Sequence, residues 1–218
     1  MNPLDRRVRA VRARYAEAPT ACRAYVLARL LTCPLGAVAD RLPPRGRLLD
    51  VGCGSGAFAH LAMQRGLSVV GVDPDPRKVA WARASVRPED PVEVRLGPLA
   101  DAVPPEERYD AVSLIDVLYL LTPPDQLRLL DAAGDRLAPG GRLLVKTMHD
   151  ASRLRSGWAR AQERVAVRGL GYTHGEAVHL PDVAALRRHL EARGLPVAAY
   201  RIDRGYLHPH LLLVADAP

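Results

Sequence analysis

Asp50, Gly52, Gly54 and Gly56 fall within seven positions of the stretch LLDVGCGSGAFA, directly after an apolar run. An aspartate followed by glycines continues a strand poorly. It ends one well, where a ligand has to approach the main chain closely. A helix that starts there also offers the ligand its free backbone N–H groups. A second acidic residue, Asp73, closes the next apolar run, LSVVGVD, 23 residues after Asp50. A carboxylate at that place accepts hydrogen bonds from both hydroxyls of a ribose. Together these residues imply a nucleoside-containing cofactor. Gly52-x-Gly54-x-x-Ala57 also satisfies the dinucleotide fingerprint, so on spacing alone NAD or FAD is an alternative.

The elements that must position these residues follow a repeating pattern. RLLDV reads as a strand, SGAFAHLAMQRG as a helix ended by Gly66, LSVVGVD as a strand and PRKVAWARASV as a helix. VEVRL and YDAVSLID are further strands, and DQLRLLDAAGDRL is a helix expected to stop at Pro139-Gly140-Gly141, before a fifth strand RLLVKTM. Strands alternating with helices at this spacing predict parallel βαβ units in a doubly wound α/β sheet. Upstream, residues 4–31 carry helical apolar spacing broken at Pro19, and a short helix is expected around Leu35–Leu42. Residues 151–169 read as helical, followed by a glycine-bearing loop, the helix AALRRHLEARG and two terminal strands. The chain thus divides into an N-terminal helical segment, 1–45, and a nucleoside-binding domain, 46–218.

Composition narrows the function further. A chain of 218 residues fits one domain, and no apolar run approaches the ~18 residues that span a bilayer. The basic N-terminus lacks an apolar core, so it does not read as a secretory signal. Cys22, Cys33 and Cys53 are odd in number and lack CxxC spacing, which predicts a reducing, cytoplasmic setting without a zinc site. Charge is uneven: residues 1–48 hold ten arginines against Asp5, Glu17 and Asp40, a net of +7, while the remainder balances at 21 basic and 21 acidic residues. Such a segment suits an anionic acceptor or a membrane surface, or it is simply a solvated face.

The D-x-G-x-G-x-G form at Asp50–Gly56 resembles the first motif of the class I S-adenosylmethionine-dependent methyltransferases. VVGVDPDPRKVAWAR is similar to their second motif, YDAVSLIDVLYLL to their fourth strand, and LAPGGRLLVK to their turn and fifth strand. The resemblance covers roughly residues 46–218. It implies a mostly parallel seven-stranded sheet with an antiparallel last strand, S-adenosyl-L-methionine as cofactor and S-adenosyl-L-homocysteine as product. It also implies that Asp50 accompanies the methionine portion of the cofactor and that Asp73 and the adjoining Pro74 flank the ribose. Gly52, Cys53, Gly54 and Gly56 would form the loop beneath it. Where the family often has an acidic residue after the third strand, this chain has Pro98, so adenine is expected at the Leu99 N–H and Asp101.

Methyl transfer requires chiefly that a nucleophile be aligned with the methyl group and, for some acceptors, that a proton be removed. Candidates lie at the carboxyl edge of the sheet. Asp116 follows the fourth strand, as a cofactor contact, a helix cap or an acceptor-side group. His149 follows the fifth. His208 and His210 begin the last strand, which an antiparallel course brings to the same edge, and two residues apart they share a face. The alternatives are that these histidines satisfy turn carbonyls and that Phe58 and Trp158 are core. His174-x-Glu176-x-x-His179 lacks further ligands, so no metal is expected. The N-P-P-Y or D-P-P-Y sequence of amino-methylating enzymes is absent. The Lys-Asp-Lys-Glu set of RNA ribose methylation is half present, as Asp116 and Lys146. The expectation is a small-molecule, natural-product or lipid-like acceptor, with RNA methylation through the basic segment as the alternative.

Overall fold

The computed structural model describes residues 6–148, 179–206 and 209–218. His149, His208, the expected helix at 151–169 with Trp158, and the pair His174 and Glu176 lie outside the described residues.

Three helices come first: α1 (Arg6–Ala13), α2 (Thr20–Thr32) and α3 (Leu35–Ala39). The alternating series follows as β1 (Gly46–Val51), α4 (Ala57–Met63), β2 (Leu67–Asp73), α5 (Pro76–Ser85), β3 (Val92–Leu96), α6 (Leu99–Ala102) and β4 (Tyr109–Ile115). A 3-10 turn at Leu118–Leu120 precedes α7 (Pro123–Gly134) and β5 (Leu137–Met148), and the last elements are α8 (Val183–Ala192), β6 (Val197–Arg201) and β7 (His210–Asp216). Local chemistry sets several boundaries. The Asp75 carboxylate accepts from the N–H groups of Arg77 and Lys78 at the start of α5, with Pro76 in its first turn. Asp182 caps α8 in the same way, through Ala184 and Ala185.

The strands form one sheet in the order β3-β2-β1-β4-β5-β7-β6. Pairs β2–β3, β1–β2, β1–β4 and β4–β5 are parallel, and β7 runs antiparallel to both neighbours. The order reverses between β1 and β4, so the crevice that an open α/β sheet offers to ligands lies at their carboxyl ends. Strand alternation divides the core. Leu48, Leu144 and Leu212 pack with Val11, Val26, Leu30, Phe58 and Leu61 on one face, while Leu49, Leu143 and Leu213 pack with Leu130, Leu186 and Leu190 on the other. Helices α1–α3 therefore share a core with α4 and one sheet face.

Pro139-Gly140-Gly141 does not stop α7 ahead of the fifth strand. The segment falls inside β5 as an irregularity, where Tyr109 pairs with Leu137 but Ala111 with Arg142. A Cβ on Gly141 would lie 2.7 Å from the Ala138 carbonyl oxygen, so only glycine permits that bulge.

His60 shows how tightly the α1–α4 face is packed. It is 1% exposed, its Nε2 lies 2.9 Å from Ser85 Oγ, and its ring meets the Tyr15 ring edge-on at 5.8 Å. Burial, reinforced by the Arg14 charge, pushes its pKa down from 6.5 to about 4. The folded state thus refuses a proton that the unfolded chain accepts. Its contribution is complete above pH 6.5 and is lost as pH falls toward 4. Urea unfolding is expected to show up to about 3 kcal/mol of stability lost across that window, and His60→Gln to flatten the loss.

Candidate functional site

The turn after β1 is built by backbone geometry. Gly52, Gly54 and Gly56 have φ of 74°, 56° and 82°, left-handed values that side chains with a Cβ rarely adopt. The N–H groups of Gly52 and Cys53 both donate to the Val72 carbonyl, at 2.8 and 3.0 Å, tying the turn to β2. Space is as restrictive as conformation: a Cβ on Gly52 would lie 2.5 Å from Val117 Cγ2. A Cβ on Gly54 would lie 3.2 Å from the Tyr25 hydroxyl, and Tyr15 donates to the Ser55 carbonyl at 2.7 Å. Tyrosines of the N-terminal segment therefore lie directly over the glycine turn.

Two carboxylates border this turn. Asp50 is 2% exposed; its Oδ1 accepts from Ser113 Oγ at 2.7 Å, and its buried Oδ2 has no hydrogen-bond partner among the described residues. Burial pushes its pKa up to about 6, the Ser113 bond opposing and the Asp73 charge adding to the shift. Asp73 is 6% exposed; its Oδ2 accepts from the Gly54 N–H at 2.8 Å and its Oδ1 from the Asp75 N–H at 2.9 Å. Each of those oxygens keeps lone-pair capacity for another donor. Pro74 is exposed beside it. At the end of the neighbouring strand Leu96 pairs with Asp73 and is 50% exposed. The sequence reading passed over Leu96, although an apolar residue closing a strand beside Asp73 was the available signal.

These features fit a nucleoside cofactor that carries an ammonium group. An orphaned buried carboxylate oxygen, a cradle that any Cβ would fill, and an acidic residue at the end of β2 stand together. Pro98 precedes α6 and is exposed, and Leu99 opens that helix with its side chain buried in the core. The Cys53 side chain is taken up by the core. Its thiol packs against Gly71, where a Cβ would meet Sγ at 2.9 Å, and clusters with Val79, Ala82 and Val94. Burial raises its pKa well above the ordinary thiol value.

Across the crevice the end of β4 holds a buried ion cluster. Asp116 has φ of 60°, the one residue other than glycine with positive φ among the described residues. Its N–H donates to the Lys146 carbonyl at 3.1 Å, its Oδ1 meets Lys146 Nζ at 2.5 Å, and its Oδ2 meets Arg29 Nη1 at 2.7 Å. Cys33 Sγ lies 3.4 Å from Oδ2. Burial alone raises the Asp116 pKa, but the Lys146 and Arg29 charges outweigh it and hold the carboxyl well below the usual range. A carboxylate so held stays charged and serves to bind the two cations. Sequence reasoning missed Arg29, since nothing local links a helix arginine to an aspartate 87 positions away.

His210 begins β7. It is 3% exposed, with Nε2 held 2.9 Å from the Thr32 carbonyl at the end of α2, and the Tyr206 ring edge-on at 5.6 Å. The described geometry makes it an anchor between β7 and α2. His179 contributes its backbone, its N–H donating to Tyr119 and its carbonyl accepting from Gln126. No group of three candidate metal ligands occurs among the described residues.

The sheet order, the antiparallel last strand and the glycine turn after β1 define the class I methyltransferase fold. Residues 20–200 match the family described as "Methyltransferase domain", and the chain belongs to that family. It is 30% identical over 115 residues to a ubiquinone biosynthesis O-methyltransferase of Xylella fastidiosa, a match covering 51% of this chain and 46% of that protein. The chain thus spans about half the length of the curated relatives it matches. An O-methyltransferase family protein from Burkholderia thailandensis superposes with a TM-score of 0.68 at 20% identity, over 94% of this chain and 61% of that one. An S-adenosylmethionine dependent methyltransferase from Mesorhizobium loti superposes with a TM-score of 0.63 at 20% identity, over 83% and 95%. At such identities the two structures speak for the fold.

The ion cluster makes a stability prediction. Asp116→Asn leaves Lys146 buried beside a neutral amide, and guanidinium unfolding is expected to report a loss of about 3–5 kcal/mol. Arg29→Gln is expected to cost only about 1 kcal/mol, because the Arg29 side chain is 24% exposed and its charge is partly hydrated.

Proposed function

We propose that the protein transfers the methyl group of S-adenosylmethionine to a small-molecule, natural-product or lipid-like acceptor. The observation that carries this reading is the orphaned Oδ2 of Asp50, a buried carboxylate oxygen beside the left-handed glycine turn. In this reading Asp50 accepts from the cofactor's ammonium, and Gly52, Gly54 and Gly56 let its chain lie against the turn. Asp73 and Pro74 border the ribose, and adenine lies near Leu96, Pro98 and the Leu99 N–H. The bound cofactor supplies an electrophilic methyl on a sulfonium. Helices α1 and α2 roof the site, and Tyr15 and Tyr25 exclude water above the turn. His210 positions α2. His149 and His208 are the groups left to take a proton from an acceptor that carries one.

The small-molecule class is supported by the printed name of the Xylella relative, a ubiquinone biosynthesis O-methyltransferase. A nucleic-acid acceptor gains less support, because arginines of the basic segment have other partners: Arg7 pairs with Asp40 at 2.6 Å, Arg14 with Asp90 at 2.6 Å and Arg29 with Asp116. No described helix is long and apolar enough to cross a membrane.

Calorimetric titration with S-adenosylhomocysteine, with NAD run alongside, tests the cofactor. The homocysteine compound alone is expected to bind; binding of NAD alone would mean a dinucleotide enzyme. Asp73→Ala is expected to weaken binding by about 1.5–3 kcal/mol, through lost charge-assisted hydrogen bonds. Because Asp50 without ligand has a pKa near 6, affinity is expected to fall as pH drops through that value. An incoming ammonium lowers that pKa, so binding near pH 6 releases protons, read from enthalpies in buffers of different ionisation heat, and Asp50→Asn abolishes the release.

A further inference from the structure

We infer that Tyr15 is a positioning residue for cofactor binding: its hydroxyl sets the peptide between Ser55 and Gly56, so that docking of α1 and binding of the cofactor are coupled. This rests on the methyltransferase reading above and adds to it a control on the same site.

The glycine turn is anchored from two directions. The Val72 carbonyl holds the N–H groups of Gly52 and Cys53, and the Asp73 carboxylate holds that of Gly54. Both of these anchors belong to β2, within the sheet. The other anchor comes from outside it. Tyr15, just past the end of α1, donates its hydroxyl to the Ser55 carbonyl at 2.7 Å. The Gly56 N–H belongs to the same planar peptide as that carbonyl, and it donates to the Cys53 carbonyl at 3.0 Å. One hydroxyl therefore helps to fix the orientation of both groups. The flanking residues explain why it is needed. Gly54 and Gly56 take φ of 56° and 82°, and glycine adopts either sign of φ at little cost. A peptide so placed can rotate end over end unless a further bond stops it. Rotation would reverse a backbone dipole against which the proposed cofactor lies.

Tyr15 is itself held firmly. It is buried, and the Ser85 Oγ lies 3.4 Å from its hydroxyl. That Oγ donates to the Ala82 carbonyl at 2.8 Å and lies 2.9 Å from His60 Nε2. Ser85 has a single proton to give. With that proton on Ala82, Nε2 of a neutral His60 is the donor, in keeping with the burial that lowers its pKa to about 4. A buried polar chain thus runs from His60 on α4 and Ser85 on α5, through Tyr15, to the turn. Arg14 makes two bonds to Asp90, at 2.6 and 3.0 Å, which pin the backbone that carries the Tyr15 ring. A Cβ on Gly56 would lie 3.2 Å from Ala82 Cβ and 3.8 Å from the Tyr15 hydroxyl, so these parts meet without slack. Apolar side chains would fill the same space. What the polar chain adds is direction, and its last bond is spent on the turn.

Coupling of this kind is reciprocal. If a docked Tyr15 favours the turn that the cofactor needs, bound cofactor must favour a docked Tyr15, and with it α1, by the same factor.

Hydrogen exchange of the full-length protein, with and without S-adenosylhomocysteine, tests both directions. The homocysteine compound is expected to slow amide exchange about tenfold in α1 as well as in the turn. Tyr15→Phe keeps the ring and removes the hydroxyl. It is expected to raise the calorimetric Kd for the homocysteine compound about tenfold and to abolish the slowing in α1 at saturating ligand. Ser85→Ala spares the bond to Ser55 and is expected to raise Kd only about two- to threefold. A residue that served stability alone would lower the urea midpoint and leave Kd and the ligand-dependent exchange where they were. A wild-type protein that binds the compound and slows exchange in the turn but not in α1 overturns the coupling, whether or not Tyr15→Phe folds. An unchanged Kd in folded Tyr15→Phe overturns it too. A wild-type protein that does not bind the homocysteine compound overturns instead the methyltransferase reading on which the coupling rests.

Discussion

A carboxylate taken out of water must find compensation, and three strands of this sheet each end at one. Asp73, the last residue of β2, is compensated by backbone N–H groups from the glycine turn and from Asp75. Asp116, after β4, is compensated by two cations. Asp50, near the end of β1, receives a single hydroxyl and keeps an oxygen unmatched. The three solutions have different consequences. Backbone donors fix a loop, cations fix a helix to a sheet, and one oxygen of Asp50 stays open among the described residues. An interior is expected to satisfy its polar groups. Asp50 Oδ2 departs from that, and in the proposed reading the cofactor's ammonium supplies the missing donor.

The ion cluster also explains why the N-terminal helices belong to the site. Apolar packing of Val11, Val26 and Leu30 holds them on one sheet face, but such packing is tolerant of small shifts. Directional contacts remove that tolerance. Arg29 reaches Asp116, Thr32 receives His210, and Tyr15 reaches the Ser55 carbonyl. Each joins the N-terminal segment to a different part of the crevice. The roof over the glycine turn is thereby registered against the ends of β1, β4 and β7.

The order of strands and helices was legible because it rests on local pattern. Apolar runs of strand length, glycine and proline stops and the Asp75 cap all act within a few residues. Asp50, the three glycines and Asp73 were legible for the same reason. What escaped was set by distance. The Arg29–Asp116 pair depends on how α2 is rotated over the sheet, which no window of sequence contains. Pro139-Gly140-Gly141 looked like a stop, because a bulge that carries glycine through a strand has the composition of a turn. Cys53 sat inside a ligand-binding motif, yet its side chain answers to Gly71 on the neighbouring strand. His210 has the right edge of the sheet for chemistry, and α2 takes its nitrogen.

Tyr25 and Arg29 stand one helical turn apart on α2, the first over Gly54 and the second on Asp116. Their separation is a length standard that matches the distance between two compartments of one crevice. A residue inserted or deleted between them would swing one of the two away by about 100° around the helix axis. Substitution therefore leaves this segment's register intact, whereas a change in its length would part the glycine turn from the end of β4 at once. Lineages of such proteins should diversify here by replacement of side chains and conserve the spacing.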